Sequence, residues 1–180
     1  MKNSSLRQMG VSGAERSSYD FYRTPEIAVR ELLIREKFEG LGWDPASGDG
    51  AIAKLNPSMI ATDLREGSDV YGQGGVDFLK EIRRVDYIIT NPPFSLILEF
   101  AQKAVELANK VALLGKIQFL EGKARYLFFK DHPPIRVYVF SKRITCDSRV
   151  ERSSIMCFCW FIWEREYSGA PNIHWILPGK

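Results

Sequence analysis

Asn91-Pro92-Pro93-Phe94 is the tetrapeptide of this chain best suited to chemistry. It follows a strand-like run, Val85 to Thr90, and precedes a helix-like run that begins at Ser95. An Asn side-chain carbonyl accepts a hydrogen bond from a planar –NH2 group. Proline donates nothing, yet its carbonyl still accepts. Two prolines in succession keep those acceptors aimed, and the ring of Phe94 can stack on a flat heterocycle. Asn and Pro also make ordinary strand-ending turns, so the neighbouring residues decide between the two readings.

A second group, Asp44-Pro45-Ala46-Ser47-Gly48-Asp49-Gly50, reads as the tight turn that ends a short strand. Ligands of open α/β sheets bind at such strand ends. Gly48 and Gly50 let the backbone come close to a ligand. Asp63 stands 19 residues after Asp44 and ends the next strand. A carboxylate there is placed to accept both hydroxyls of a ribose. Taken alone, these features fit any nucleoside cofactor. Gly48-x-Gly50-x-x-Ala53 even satisfies the dinucleotide fingerprint, a weak signal in isolation.

The elements that must position these residues alternate in type. Thr24-Pro25 opens a helix, with Thr suited to the N-cap and Pro to the first helical position. Strands are expected at 41–45, 59–63, 87–90, 111–114, 135–140 and 155–163. Helical segments are expected at 51–55, 77–82, 96–109 and 119–130. Alternating strands and helices imply an α/β fold with a mostly parallel sheet, helices covering both faces. Only a polar loop, 141–154, separates the last two strands, which fits an antiparallel hairpin at the sheet edge. Residues 1–18 read as a polar N-terminus, 19–165 as one domain and 166–180 as a C-terminal tail.

The chain has 180 residues and a formal net charge of +3. From Lys116 to Ser154 there are nine Lys/Arg against four acids, so that segment carries +5 and the rest −2. Such asymmetry suits a polyanion-facing surface. The three cysteines, Cys146, Cys157 and Cys159, form no C-x-x-C pair. Neither a disulfide framework nor a zinc site is indicated. No apolar run is long enough to span a membrane, and the polar start is unlike a signal peptide. A cytoplasmic, metal-free protein is expected. His132 and His174 have no acidic partner at triad or metal spacing. Trp160, Trp163, Phe158 and Phe161 read as core; Tyr126, Phe128 and Phe129 fit either the core, which is favoured, or the lining of a target channel.

Tyr22-Arg23-Thr24-Pro25, Asp44 to Gly50, Asp63, Asp77-Phe78 and Asn91 to Phe94 occur here in one order. Together they resemble the ordered motifs of the S-adenosylmethionine-dependent amino-methyltransferases, specifically the DNA N6-adenine type. The resemblance runs from about Tyr22 to Trp163. It implies a Rossmann-like class I methyltransferase fold with a seven-stranded sheet. It further implies that Tyr22, Thr24 and Pro25 pack over the methionine end of S-adenosylmethionine. Asp44, Pro45, Ala46 and Gly48 would face the cofactor's amino-acid moiety, and Asp63 its ribose. Asp77 and Phe78 would lie beside its adenine. Asn91 and Pro92 would accept the target amine, with Pro93 stiffening the turn and Phe94 stacking on the base.

The target adenine must be flipped out of a duplex or already unpaired. Lys116, Lys123, Arg125, Lys142, Arg143, Arg149 and Arg152 are the expected phosphate contacts. Phosphate contacts position a substrate without reading its sequence. The family's usual target-recognition region has no counterpart in this sequence. The expectation is therefore relaxed sequence specificity, or a partner or second copy that supplies recognition. RNA adenine and protein glutamine amides present the same planar –NH2 and stand as alternatives. Relatives that methylate cytosine more often carry Ser at the Asn91 position. A catalytically silent cofactor-binding subunit and an NAD(P) oxidoreductase are the remaining readings.

Overall fold

The computed structural model describes residues 22–144 and 156–179. Helix α1 spans Glu26–Arg35, α2 Ile97–Leu107 and α3 Lys123–Asp131. The strands are β1 (Gly42–Asp44), β2 (Met59–Ala61), β3 (Val85–Thr90), β4 (Ala108–Lys116), β5 (Arg136–Phe140), β6 (Phe158–Glu164) and β7 (Asn172–Ile176). They form one seven-stranded sheet in the order β2-β1-β3-β4-β6-β5-β7. All neighbours pair in parallel except β6, which runs antiparallel to both β4 and β5.

The apolar patterns explain the layers. In β3 only Asp86 is exposed, as expected for a parallel strand covered on both faces. In α2 the buried residues Ile97, Phe100, Ala101, Ala104 and Leu107 recur at helical spacing and make one stripe. That stripe and Phe128 of α3 pack on the face that carries Ile88, Val111, Leu113 and Phe161. On the opposite face, Ala28, Val29 and Leu32 of α1 pack on Tyr87, Ile89, Leu114 and Trp160. Helices therefore cover both faces, as the alternation of elements predicts.

Several expectations are corrected. The hairpin of β5 and β6 is not at the edge. Every β6 residue but Glu164 is buried, which suits an inner strand, and β7 lies outside β5. The segment expected as a tail thus supplies the edge strand, whose first four residues are exposed. Residues 51–55 form turns, not a helix. Asn56-Pro57 leaves room for one α-type bond, from the Lys54 N–H to the Gly50 carbonyl, and two tighter i→i−3 bonds, from Leu55 to Ile52 and from Asn56 to Ala53. The helix expected over 119–130 is broken at Gly122, whose φ is 104°, into a 3-10 turn (Ile117–Leu120) and α3. Pro25 takes the N-cap position of α1 without a side-chain cap, because the Thr24 hydroxyl is engaged by Asn91. Cys159 is buried and burial holds its thiol well above the ordinary range. Tyr126, expected in the core, is 65% exposed.

A buried ion cluster fixes α1 against the end of the sheet opposite the strand C-termini. Glu36, at the C-cap of α1, accepts from Arg136, from Lys110 (2.7 Å) and from the Tyr138 hydroxyl (2.8 Å). Glu164 shares Arg136 (2.5 Å) and Lys110 (3.3 Å). Burial opposes the Glu36 charge, but Arg136, Lys110 and Tyr138 outweigh it and hold the carboxyl below its ordinary value. Removing one partner of a buried pair typically costs about 3 kcal/mol or more. Glu36→Gln is therefore expected to lower unfolding stability by about that amount at pH 7 in denaturant titrations. Because the folded carboxyl is depressed, its stabilisation is present at neutral pH and lost as pH falls through the folded value. The gap between wild type and variant should shrink in acid.

Candidate functional site

A cavity of about 770 Å³ opens at the C-terminal ends of the first four strands. Its walls come from the strap before α1 (Tyr22, Thr24), the turn after β1 (45–49) and the end of β2 (63–65). The loop around Asp77, the start of α2 and Lys116 at the end of β4 complete it. This is where ligands bind in open α/β sheets.

Asn91 closes one wall. Its Nδ2 donates to the Tyr22 carbonyl (2.8 Å) and to Thr24 Oγ1 (3.1 Å). A backbone carbonyl only accepts, so the amide nitrogen must face the strap. Asn91 Oδ1 is left buried with no hydrogen-bond partner. A buried acceptor without a donor is costly unless a ligand supplies one. Beside it, Phe94 stacks on Tyr22, with ring centroids 5.1 Å apart and 26° between planes. Lys116 Nζ lies 4.5 Å from the Phe94 centroid and 5.8 Å from that of Tyr22. Pro93 lines the cavity and Pro92 does not.

The turn after β1 is stitched to the end of β2. Gly48 has φ of 55°, a conformation glycine adopts freely. Its N–H donates to Asp63 Oδ2 (2.8 Å), and Ser47 Oγ donates to the Tyr71 carbonyl (2.7 Å). Arg65 donates to Asp63 Oδ1 from its backbone N–H (2.9 Å) and its Nε (3.3 Å). Asp63 therefore holds both neighbouring loops and keeps one lone pair of Oδ2 for a ligand. Arg23 reaches from the strap to Asp49 (2.6 Å) and ties the turn to the segment over it.

Asp44 lies beneath this turn, 1% exposed. Burial pushes its carboxyl up to about 7, the Thr90 hydroxyl and Ala46 N–H pull it down, and the charge of Asp63 pushes it up again. Of those two donors only the Ala46 N–H, at 3.3 Å, has hydrogen-bond geometry. Asp44 Oδ2 and Thr90 Oγ1 both lack partners. A buried, under-paired carboxyl of this kind is a candidate functional group.

The structure gathers most of the expected site residues. Tyr22, Thr24, Pro45, Ala46, Gly48, Asp63, Asp77, Phe78, Asn91, Pro93 and Phe94 all line the cavity; Pro25 and Asp44 do not. Asp77 is partly engaged already. Its Oδ1 caps the Leu79 N–H (3.1 Å) and its Oδ2 pairs with Lys80 (2.8 Å). Lys80 first of all, then the Leu79 N–H, hold that carboxyl below its ordinary value against a small burial effect. Phe78 is buried edge-on against Trp43, so it shapes the wall from within the core.

The basic residues divide. Lys116 lines the cavity. Lys123, Lys142 and Arg143 are exposed, and Arg149 and Arg152 lie outside the described residues. Arg125 is partly engaged in the fold: its Nη1 donates to the carbonyls of Gln118 (2.7 Å) and Glu121 (3.2 Å). Its Nη1 bridges the break before α3, and its other N–H groups are not engaged by these two bonds. Sequence reasoning missed Arg23, Leu64, Arg65 and Phe100. Leu64 and Arg65 follow Asp63 directly, which was the available signal. Nothing local marked Arg23, whose partner lies in another loop.

No protein-family model matches the sequence, and no curated protein does. Solved structures match its shape. A candidate RNA methyltransferase from Pyrococcus horikoshii superposes with a TM-score of 0.61 at 16% identity, over 79% of this chain and 86% of that one. A type I restriction-modification methyltransferase subunit from Streptococcus thermophilus gives 0.62 at 12% identity, over 87% of this chain and 47% of its own. A candidate class I S-adenosylmethionine-dependent methyltransferase from Listeria monocytogenes gives 0.57 at 13%, over 89% and 67%. The chain thus spans a little under half of the type I subunit. It has the Rossmann-like fold of the class I methyltransferases.

Proposed function

We propose that this protein is an S-adenosylmethionine-dependent methyltransferase acting on the exocyclic N6 of adenine in DNA, with relaxed sequence specificity. The observation that carries the reading is Asn91 Oδ1. It is a buried acceptor without a donor, turned away from the strap by two bonds to its own amide nitrogen. A planar amine is the donor that fits it.

The cavity's donors and acceptors suit the cofactor. Asp44, under-paired and buried beneath the turn and not on the cavity wall, would act on its ammonium from behind that turn. Asp63 would take a ribose hydroxyl on Oδ2 and compete with Arg65 for a second at Oδ1. Thr24 Oγ1 accepts from Asn91, so its own hydrogen remains to donate to a carboxylate. Asp77 would accept from the cofactor's adenine in exchange for Lys80. When bound, the cofactor supplies an electrophilic methyl group on a sulfonium.

The protein's own residues do the rest. The lone pair of an adenine amine is conjugated into the ring and weakly nucleophilic. Asn91 Oδ1 would accept one of its N–H groups and turn the nitrogen towards tetrahedral geometry; the Pro92 carbonyl, which the resemblance assigns to the second, does not line the cavity. Phe94 stacks on the ring and fixes its plane. As the sulfonium's S–CH3 bond broke and the thioether left, the nitrogen would take the methyl and lose a proton to water; no side chain here need act as a strong base. Position and electrostatics provide the acceleration.

The likeness to the type I subunit and the basic segment after β4 support DNA. The likeness to the candidate RNA methyltransferase covers most of both chains and supports a second reading, the same transfer to RNA adenine. Product analysis separates them. The protein is incubated with S-adenosylmethionine and unmodified duplex DNA, single-stranded DNA or RNA. Digestion to nucleosides and mass spectrometry should give N6-methyladenine above an Asn91→Ala control. Product from RNA alone moves the substrate to RNA. No modified nucleoside, despite cofactor binding, overturns the nucleic-acid reading.

A further inference from the structure

Resting on the amino-methyltransferase reading, we propose that Tyr22 is the second wall of the target's seat. The accepted group is then a flat heterocycle gripped between Tyr22 and Phe94, and not an open-chain amide. Tyr22 belongs by sequence to the strap over the cofactor, yet its ring stacks on Phe94, 5.1 Å away. Its backbone carbonyl is held by Nδ2 of the same Asn91 whose Oδ1 awaits a donor. One side chain therefore fixes both the acceptor and the height of the ring beside it. Arg23, the next residue, anchors the strap on its far side through Asp49.

A third ring between two others needs about 7 Å, two ordinary contact distances. Tyr22 has to swing outward by about 2 Å to admit a base. Until then the two rings cover each other. Phe158 backs Phe94 with centroids 5.7 Å apart, so Phe94 is the fixed wall and a base enters by turning the Tyr22 side chain about its held backbone. Lys116, 4.5 Å from the Phe94 centroid, places a cation by the stack. Adenine carries ring-nitrogen acceptors on both sides of its amino group, so either edge suits an ammonium. A glutamine amide offers Asn91 its –NH2, but nothing to fill the space between two rings.

The test reads stacking without turnover. A single-stranded oligonucleotide carrying 2-aminopurine, whose emission falls when it stacks on aromatic rings, is titrated with wild type, Tyr22→Phe, Tyr22→Leu and Tyr22→Ala. S-adenosylhomocysteine affinity of each is measured in parallel by calorimetry. Wild type and Tyr22→Phe should quench the probe. Tyr22→Leu, which keeps the bulk without the ring, should bind it roughly ten-fold more weakly, a larger loss than any in S-adenosylhomocysteine affinity. Equal quenching by Tyr22→Leu and wild type overturns the proposal. So does a loss confined to S-adenosylhomocysteine, which would make Tyr22 a cofactor cover. N6-methyladenine formation without quenching overturns this inference alone. Methylation of a glutamine peptide overturns both readings.

Discussion

Asn91→Ala is expected to lower turnover at least about a hundred-fold, the scale of losing one preorganised group in a water-poor site, while cofactor affinity stays within a few-fold. The side chain does two things, and the substitution removes both. Oδ1 presents the acceptor, and Nδ2 holds Tyr22 and Thr24. Thr24→Val separates them, because it deletes one of the strap contacts and leaves Oδ1 in place. A catalytic Asn91 predicts a far larger loss of turnover in the first variant than in the second. Equal losses would mean that Asn91 acts only as a clasp for the strap.

Asp44→Asn is expected to make the protein more stable and less able to bind its cofactor. The folded carboxyl titrates at about 7, above its ordinary value, so the folded chain keeps a proton that the unfolded chain gives up. Its contribution to stability is full in acid, declines as pH rises from near 4 to near 7, and then levels off. At pH 8 the ionised, under-paired carboxylate costs at most about 4 kcal/mol. Asparagine cannot ionise, so the stability gap between variant and wild type should be small at pH 4 and largest at pH 8. Denaturant titrations at both values measure it. A ligand ammonium beside Asp44 would draw the carboxyl down. Wild-type S-adenosylmethionine affinity should then tighten from pH 5.5 to 7, with proton release seen calorimetrically. A gap that does not grow with pH would show that Asp44 is ordinarily solvated. The cost is the signature of a site built for binding at the expense of stability.

The residues that lie close in sequence were the ones most legible from it. The apolar run before Asn91 and the prolines after it place a strand end there, and β3 stops at Thr90. The Asp44 to Gly50 turn, the Asp63 strand end and the stripe of α2 were equally readable, because each depends on a local pattern. The misses are long-range. Thr24 reads as a helix cap until Asn91, 67 residues away, is seen to take its hydroxyl. Arg125 gives no sequence sign that its Nη1 also bridges two carbonyls before α3. Residues 172–176 read as a tail because a strand with four exposed residues has little apolar signature. What makes them a strand is the open side of β5, which no local pattern reveals.

The position of β6 has a consequence for how the chain must be made. It lies between β4 and β5 yet follows both in sequence. As the nascent chain leaves the ribosome, β4 is complete long before its outer neighbour exists, and β5 has no place to dock. For that interval β4 presents an open edge with Val111 to Gly115 all apolar or glycine, the kind of surface on which nascent chains pair with one another. The half-sheet that carries Asn91 and Asp63 therefore waits on the last strands to be synthesised. Chaperone dependence and yield should be governed by the 158–164 segment, far from the residues that perform the chemistry.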